Sequence, residues 1–128
     1  MPEAATCAGR RIMVVEDDYL IAVELVRSLE RLGVHVLGPV GSVGDAMELV
    51  EREAAGMDGA VLDIHLGDER GFPVADALIQ RGVPFVFLTG YDASAIPAAY
   101  AAAPRCEKPV DTAQLLRVLA TARRDVDV

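Results

Sequence analysis

A unit repeats along this chain and leaves few folds open to it: a short apolar run, a few polar residues, then a helix-period stretch closed by glycine. Ile12-Met13-Val14-Val15 is a continuous apolar run of strand length, which suits a strand buried on both faces. Ile21, Leu25, Leu29 and Leu32 follow at spacings of 4, 4 and 3 and make one stripe on a helix. Gly33 then stands where a left-handed residue ends that helix.

The next unit keeps the plan. Val34 to Val40 reads as a strand running into a turn at Gly38, Pro39 and Gly41. Ser42 is a good N-cap, and Val43, Ala46, Met47 and Val50 fall at helical spacing before Gly56. Ala60-Val61-Leu62 is a third strand, followed by a polar loop with Gly67 and Gly71 and a helix from about Phe72 to Arg81 closed by Gly82. Val83 to Leu88 is a fourth strand and Arg105 to Glu107 a brief fifth. Asp111 caps a last helix, with Gln114 in the capping-box position and Leu115, Leu116 and Leu119 on its inner side. Strands alternating with helices imply a parallel sheet covered on both faces, because each parallel connection must cross over. The expected fold is a flavodoxin-like, doubly wound α/β domain with five parallel strands in the order 2-1-3-4-5, spanning residues 11–122 between tails at 1–10 and 123–128.

Composition supports one such domain. The chain has 128 residues, 52% of them apolar, enough for a core without disulfides. The formal charge is −8, and no basic cluster exceeds the pairs Arg10-Arg11 and Arg123-Arg124, so an electrostatic nucleic-acid interface is not expected. Cys7 and Cys106 are isolated and fit no metal-ligand spacing, as in a reducing compartment. With no signal-like start and no apolar run of membrane-spanning length, a cytoplasmic protein without membrane contact is expected.

The polar residues gather at one edge. In an open parallel sheet, chemistry collects beyond the carboxyl ends of the strands, where strand order reverses. Glu16-Asp17-Asp18 follow strand 1, Asp63 follows strand 3, Thr89 strand 4 and Lys108 strand 5. Singly, each has an ordinary explanation: acids suit a helix start, Asp18 as an N-cap among them, and Asp63, Thr89-Gly90 and Lys108-Pro109 suit turns. Four successive strand ends of one edge are harder to explain that way. Carboxylates held together repel unless a proton or cation joins them, and a hard divalent ion such as Mg²⁺ takes oxygen ligands and shares them with phosphate. Asp63 beside such an ion suits a carboxylate nucleophile that forms an aspartyl phosphate, with Lys108 and the Thr89 hydroxyl on the phosphoryl oxygens.

From about Arg11 to Ala122 the chain resembles the response-regulator receiver domain. The resemblance rests on "IMVVEDDYLIA", "VLDIHLGD", "FLTG" and "EKPVD". It implies Asp63 as phosphoacceptor, Asp17 as a direct Mg²⁺ ligand with Glu16 assisting, the His65 backbone carbonyl as a further ligand, and Thr89 and Lys108 on the phosphoryl group. It also implies a Lys108–Pro109 bond that is often cis. "PFVFLTGYD", Pro84 to Asp92, is similar to the stand-alone "FAT GUY" receivers, with Leu88 in place of their Ala.

Two departures bear on switching. Commoner receivers carry an aromatic three residues before the lysine, where this chain has Arg105, and Tyr91 is a candidate substitute; Arg105, Tyr91 and Pro109 are the switch candidates. The fourth helix is shortened, since only Ala98 to Ala103 lie between Pro97 and Pro104. Residues 93–104 are therefore expected to order when the site fills. The His65 side chain, two residues past Asp63, either tunes phosphate lifetime or simply faces solvent, and His35 reads as structural.

The expected function is phosphoryl acceptance from a sensor histidine kinase or a histidine phosphotransfer protein, by a monomer or weak dimer that signals through altered protein contacts. So few residues flank the domain that no output domain is expected. A phosphatase of the haloacid-dehalogenase kind wants an acid where His65 stands and its extra metal acids after the lysine, not before. A phosphorylation-independent binding module on the same fold leaves the acid–Asp–Thr–Lys set without a role.

Overall fold

The computed structural model describes residues 8–90 and 96–127. Five parallel strands form one sheet in the order β2-β1-β3-β6-β7. They are β1 (Arg11–Val15), β2 (His35–Val40), β3 (Gly59–Asp63), β6 (Phe85–Thr89) and β7 (Arg105–Glu107). A separate antiparallel hairpin joins β4 (His65–Leu66) to β5 (Glu69–Arg70). The helices are α1 (Tyr19–Arg31), α2 (Val43–Glu53), α3 (Phe72–Gln80) and α4 (Thr112–Asp127). This is the expected doubly wound fold and strand order, and among the described residues no helix is long and apolar enough to cross a membrane.

Alternation along the strands sorts the core into two layers. Met13, Val15, Ala60, Leu62, Phe85 and Phe87 face α2 and α3. Ile12, Val14, Val61, Val86 and Leu88 face α1 and α4. Every residue of β3 and β6 is buried, whereas the edge strand β2 keeps one buried residue, Leu37. That contrast is why the inner strands read as continuous apolar runs.

The caps follow the sequence signals. Asp18 Oδ1 accepts from the Ile21 amide at 3.1 Å, and Ser42 Oγ from the Asp45 amide at 3.1 Å. Helix α1 ends in a paired cap, Gly33 N–H to the Glu30 carbonyl and Val34 N–H to the Leu29 carbonyl, with Gly33 at φ +86°. Helix α3 ends the same way through Gly82 and Val83.

Several expectations need correction. Leu32 is the C-cap of α1 and 39% exposed, and Met47 is 37% exposed; Ala22 and Leu49 fill the inner stripes instead. Gly38 and Pro39 make no turn but lie inside β2, joined by a cis peptide, where the register with β1 shifts. An edge strand tolerates the missing proline N–H and the irregularity. The polar loop expected after the third strand carries the β4–β5 hairpin, and the last helix continues through Asp127, past the boundary expected at residue 122. His35 is exposed at the start of β2.

Gly71, just before α3, allows no side chain: a Cβ there lies 2.6 Å from the Asp63 carbonyl oxygen, while the Gly71 amide donates to the Ile64 carbonyl at 2.7 Å. The contact is with backbone and cannot give way cheaply. Gly71→Ala is expected to lower stability by about 1–3 kcal/mol in urea denaturation.

Candidate functional site

The carboxyl ends of β1, β3, β6 and β7 meet at the switch point between β1 and β3, and the acids of the sequence arrive there by topology. Asp63 closes β3, beside Leu88 of β6 in register, and is 3% exposed. Glu16 follows β1 directly, 3% exposed, its amide held by the Val40 carbonyl at 2.9 Å. Lys108 follows β7, its amide held by the Thr89 carbonyl at 2.8 Å, and the Lys108–Pro109 bond is cis as the resemblance implied.

The Lys108 ammonium lies between the two buried carboxylates. Its Nζ donates to Asp63 Oδ2 at 2.8 Å and stands 3.0 Å from Glu16 Oε2. The second contact is an ion pair without hydrogen-bond geometry, so Glu16 Oε2 remains a buried oxygen without a hydrogen bond. The remaining oxygens are held by backbone. Asp63 Oδ1 accepts from the His65 amide at 3.1 Å, Glu16 Oε1 from the Asp18 amide at 3.0 Å, and Asp17 Oδ2 from the Gly67 amide at 2.8 Å.

Protonation follows this crowding. Burial first, then the hydrogen bond and charge of Asp63, push the Glu16 carboxyl up to about 7, against the opposing pull of the Asp18 amide and Lys108. Burial disfavours the charged Lys108, but the hydrogen bond to Asp63 and the nearby charges of Asp63 and Glu16 outweigh it and raise its pKa. Two carboxylates therefore share one ammonium at distances where both cannot be ionised without cost.

One oxygen from each of Glu16, Asp17 and Asp63 lies within 4.8 Å of the others. An all-oxygen, all-carboxylate set suits a hard divalent cation over a soft one. Glu16 Oε2 has an ion pair to Lys108 but no hydrogen bond, which leaves it free to accept a further partner. The donor set fits.

Other expected residues lie differently. The Thr89 hydroxyl, 2% exposed, donates to the Cys106 carbonyl at 3.5 Å and not to Asp63. The His65 ring contacts the Arg70 guanidinium on the neighbouring strand of the hairpin. Arg105 donates to the Ala101 carbonyl at 3.0 Å. Tyr91 lies outside the described residues, as does the 93–95 part of the segment expected to order; the rest of that segment contains one 3-10 turn, Ala98–Tyr100. Sequence reasoning missed Gly67, whose amide ties the hairpin to Asp17 across 50 positions. Its signal was the Gly67-Asp68 pair, a two-residue hairpin turn with glycine at φ +63°.

Known proteins bear on this geometry. The sensory transduction protein LytT of Bacillus cereus is 37% identical over 91 residues, covering 69% of this chain and 36% of LytT, so the chain spans little more than a third of that relative. The solution structure of SdrG from Sphingomonas melonis Fr1 is 35% identical with a TM-score of 0.72, covering 93% of this chain and 97% of that one. A response regulator receiver protein from Sinorhizobium medicae shares the fold at 23% identity and a TM-score of 0.76, covering 91% of this chain and 96% of that one. The family model described as "Response regulator receiver domain" matches residues 12–120, the span that holds Glu16, Asp17, Asp63, Thr89 and Lys108, and the chain belongs to that family.

Proposed function

We propose that the chain is a phosphoryl-accepting signalling module in which Asp63 is the nucleophile. The observation that carries the reading is the Asp63 carboxylate at the meeting of a lysine ammonium and two further acids, at the switch point of the sheet. A carboxylate oxygen of Asp63 attacks phosphorus; the bond from phosphorus to a partner's histidine nitrogen breaks, and its electron pair stays on the imidazole. Asp17, Asp63 and the His65 carbonyl, with Glu16 assisting, are the groups that would hold Mg²⁺, which when bound neutralises charge on the phosphoryl oxygens.

The chain's own residues do the rest. Lys108 moves its contact from Asp63 Oδ2 to a phosphoryl oxygen, keeping charge balance. The Thr89 hydroxyl exchanges its long bond to the Cys106 carbonyl, at 3.5 Å, for a phosphoryl oxygen. Gly67 and His65 amides hold Asp17 and Asp63 in place throughout.

Tyr19 and Leu20, 78% and 72% exposed, open α1 just after the acidic run and offer apolar surface to a phosphodonor. The donor in this reading is a sensor histidine kinase or a histidine phosphotransfer protein. The likeness of "PFVFLTGYD" to the FAT GUY receivers supports a stand-alone module that acts through protein contacts, and the reading takes it as cytoplasmic and monomeric or weakly dimeric. The absence of any long basic run argues against nucleic acid as its target.

Incubation with a small phosphodonor and Mg²⁺ is expected to add one phosphoryl group by intact mass. Asp63→Asn and chelation of Mg²⁺ should each abolish the addition, and Lys108→Ala should slow it by about tenfold to a hundredfold. A wild-type protein that stays unlabelled while a control receiver reacts refutes the reading.

Acid titration offers an independent check. The Glu16 carboxyl, 4.5 ordinarily, lies at about 7 in the folded chain, so between those values the native state holds a proton that the unfolded chain has released. Stability without divalent ions should therefore fall as pH rises through that window. Lys108, raised in the folded chain, contributes below 10.5 and is lost only above it, outside the window. Urea midpoints from about pH 5 to pH 8 should show the fall, Glu16→Gln should remove it, and Mg²⁺ should flatten it by binding the ionised native cluster.

A further inference from the structure

Where a fourth crossover helix was expected to be merely short, the chain makes only a 3-10 turn, Ala98–Tyr100, between Pro97 and Pro104. So short a turn does not hold itself together. Side chains fasten it from two directions. The Tyr100 ring stacks on Phe72, centroids 4.9 Å apart and planes 15° apart, and meets Phe87 edge-on at 6.1 Å. The Tyr100 hydroxyl donates to Asp76 Oδ1 on α3 at 2.6 Å, a short charge-assisted bond. From the sheet side, the Arg105 guanidinium donates to the Ala101 carbonyl at 3.0 Å.

The two rings under Tyr100 are both attached to the Asp63 site. Phe72 follows Gly71, where a Cβ would lie 2.6 Å from the Asp63 carbonyl oxygen, so there is no room for a side chain. Phe87 pairs in register with Leu62, the residue before Asp63, and stands two residues before Thr89. A shift of β6 or of the start of α3 therefore reaches Tyr100 through direct packing. Asp76 is exposed and Tyr100 half-buried, so water can replace their bond at small cost, as a two-state fastening requires.

We propose that Tyr100 and Asp76 form a latch that closes residues 96–104 over the Phe72–Phe87 pair, with Arg105 as its second fastening, and that the latch responds to the state of the Asp63 site. Tyr100 would thus carry the aromatic part of the switch that the arginine at position 105 does not supply. The existence of the latch stands on the contacts alone; its coupling to the site rests on the phosphoacceptor reading.

Amide exchange on the intact chain tests both halves. The reporting amides are those of Tyr100, Ala101 and Ala103, which bond the carbonyls of Pro97, Ala98 and Tyr100. Tyr100→Phe and Asp76→Ala should each speed their exchange about three- to tenfold, the double variant should add little to either single, and amides of β1 and β3 should not change. Protection in Tyr100→Phe equal to wild type overturns the latch. Adding Mg²⁺ and beryllofluoride should change exchange at these amides in wild type, and by a smaller factor in Tyr100→Phe; an undiminished change overturns the coupling. Intact mass after phosphodonor treatment separates the two failures: an unlabelled wild type overturns the phosphoacceptor reading and the coupling with it, while the single variants without ligand still decide the latch.

Discussion

Bringing Glu16 and Asp63 together out of water requires a positive charge between them, and the Lys108 ammonium supplies it at 2.8 and 3.0 Å. Most of the molecule serves that meeting. The parallel sheet brings the ends of β1 and β3 side by side, and the Thr89 carbonyl holds the Lys108 amide so that the long side chain reaches inward from the sheet edge. A buried ion pair of this kind is weak evidence for stability, since desolvation opposes attraction. Burial, together with the neighbouring Asp63, pushes the Glu16 carboxyl up to about 7 even with the ammonium beside it.

The backbone contributes as much to the site as the side chains do. Three carboxylates each take one hydrogen bond from a main-chain amide, of His65, Asp18 and Gly67. These bonds fix the acids without adding charge, so the cluster stays negative. Two glycines make the arrangement possible for different reasons. Gly67 adopts φ +63° at the hairpin turn, and Gly71 keeps clear of the Asp63 carbonyl.

Membership of the receiver family and the proposed switch meet in the stretch between β6 and β7. The sheet and the acid edge are those of the family, with helix and strand ends set by local caps. The stretch before β7 is instead held by an aromatic stack and two polar fastenings, the Tyr100 hydroxyl and the Arg105 guanidinium. Among the described residues of that stretch, Ile96 and Ala103 also pack against the core beside Tyr100.

Strand runs, helix stripes, the caps at Asp18, Ser42 and Asp111, and the chirality of parallel crossovers are local or topological rules, so the sequence by itself determined the doubly wound sheet, its order and the edge where the acids collect. It did not determine direction or partnership. That Gly38-Pro39 lies within β2, that Leu32 and Met47 face solvent, and that Thr89 bonds the Cys106 carbonyl all depend on neighbours distant in the chain. The Gly67–Asp17 bond and the Tyr100–Asp76 bond span 50 and 24 positions, and no periodicity encodes them. Periodic burial is written along a chain because each element repeats it, whereas a single hydrogen bond between two elements exists only once packing has set their separation.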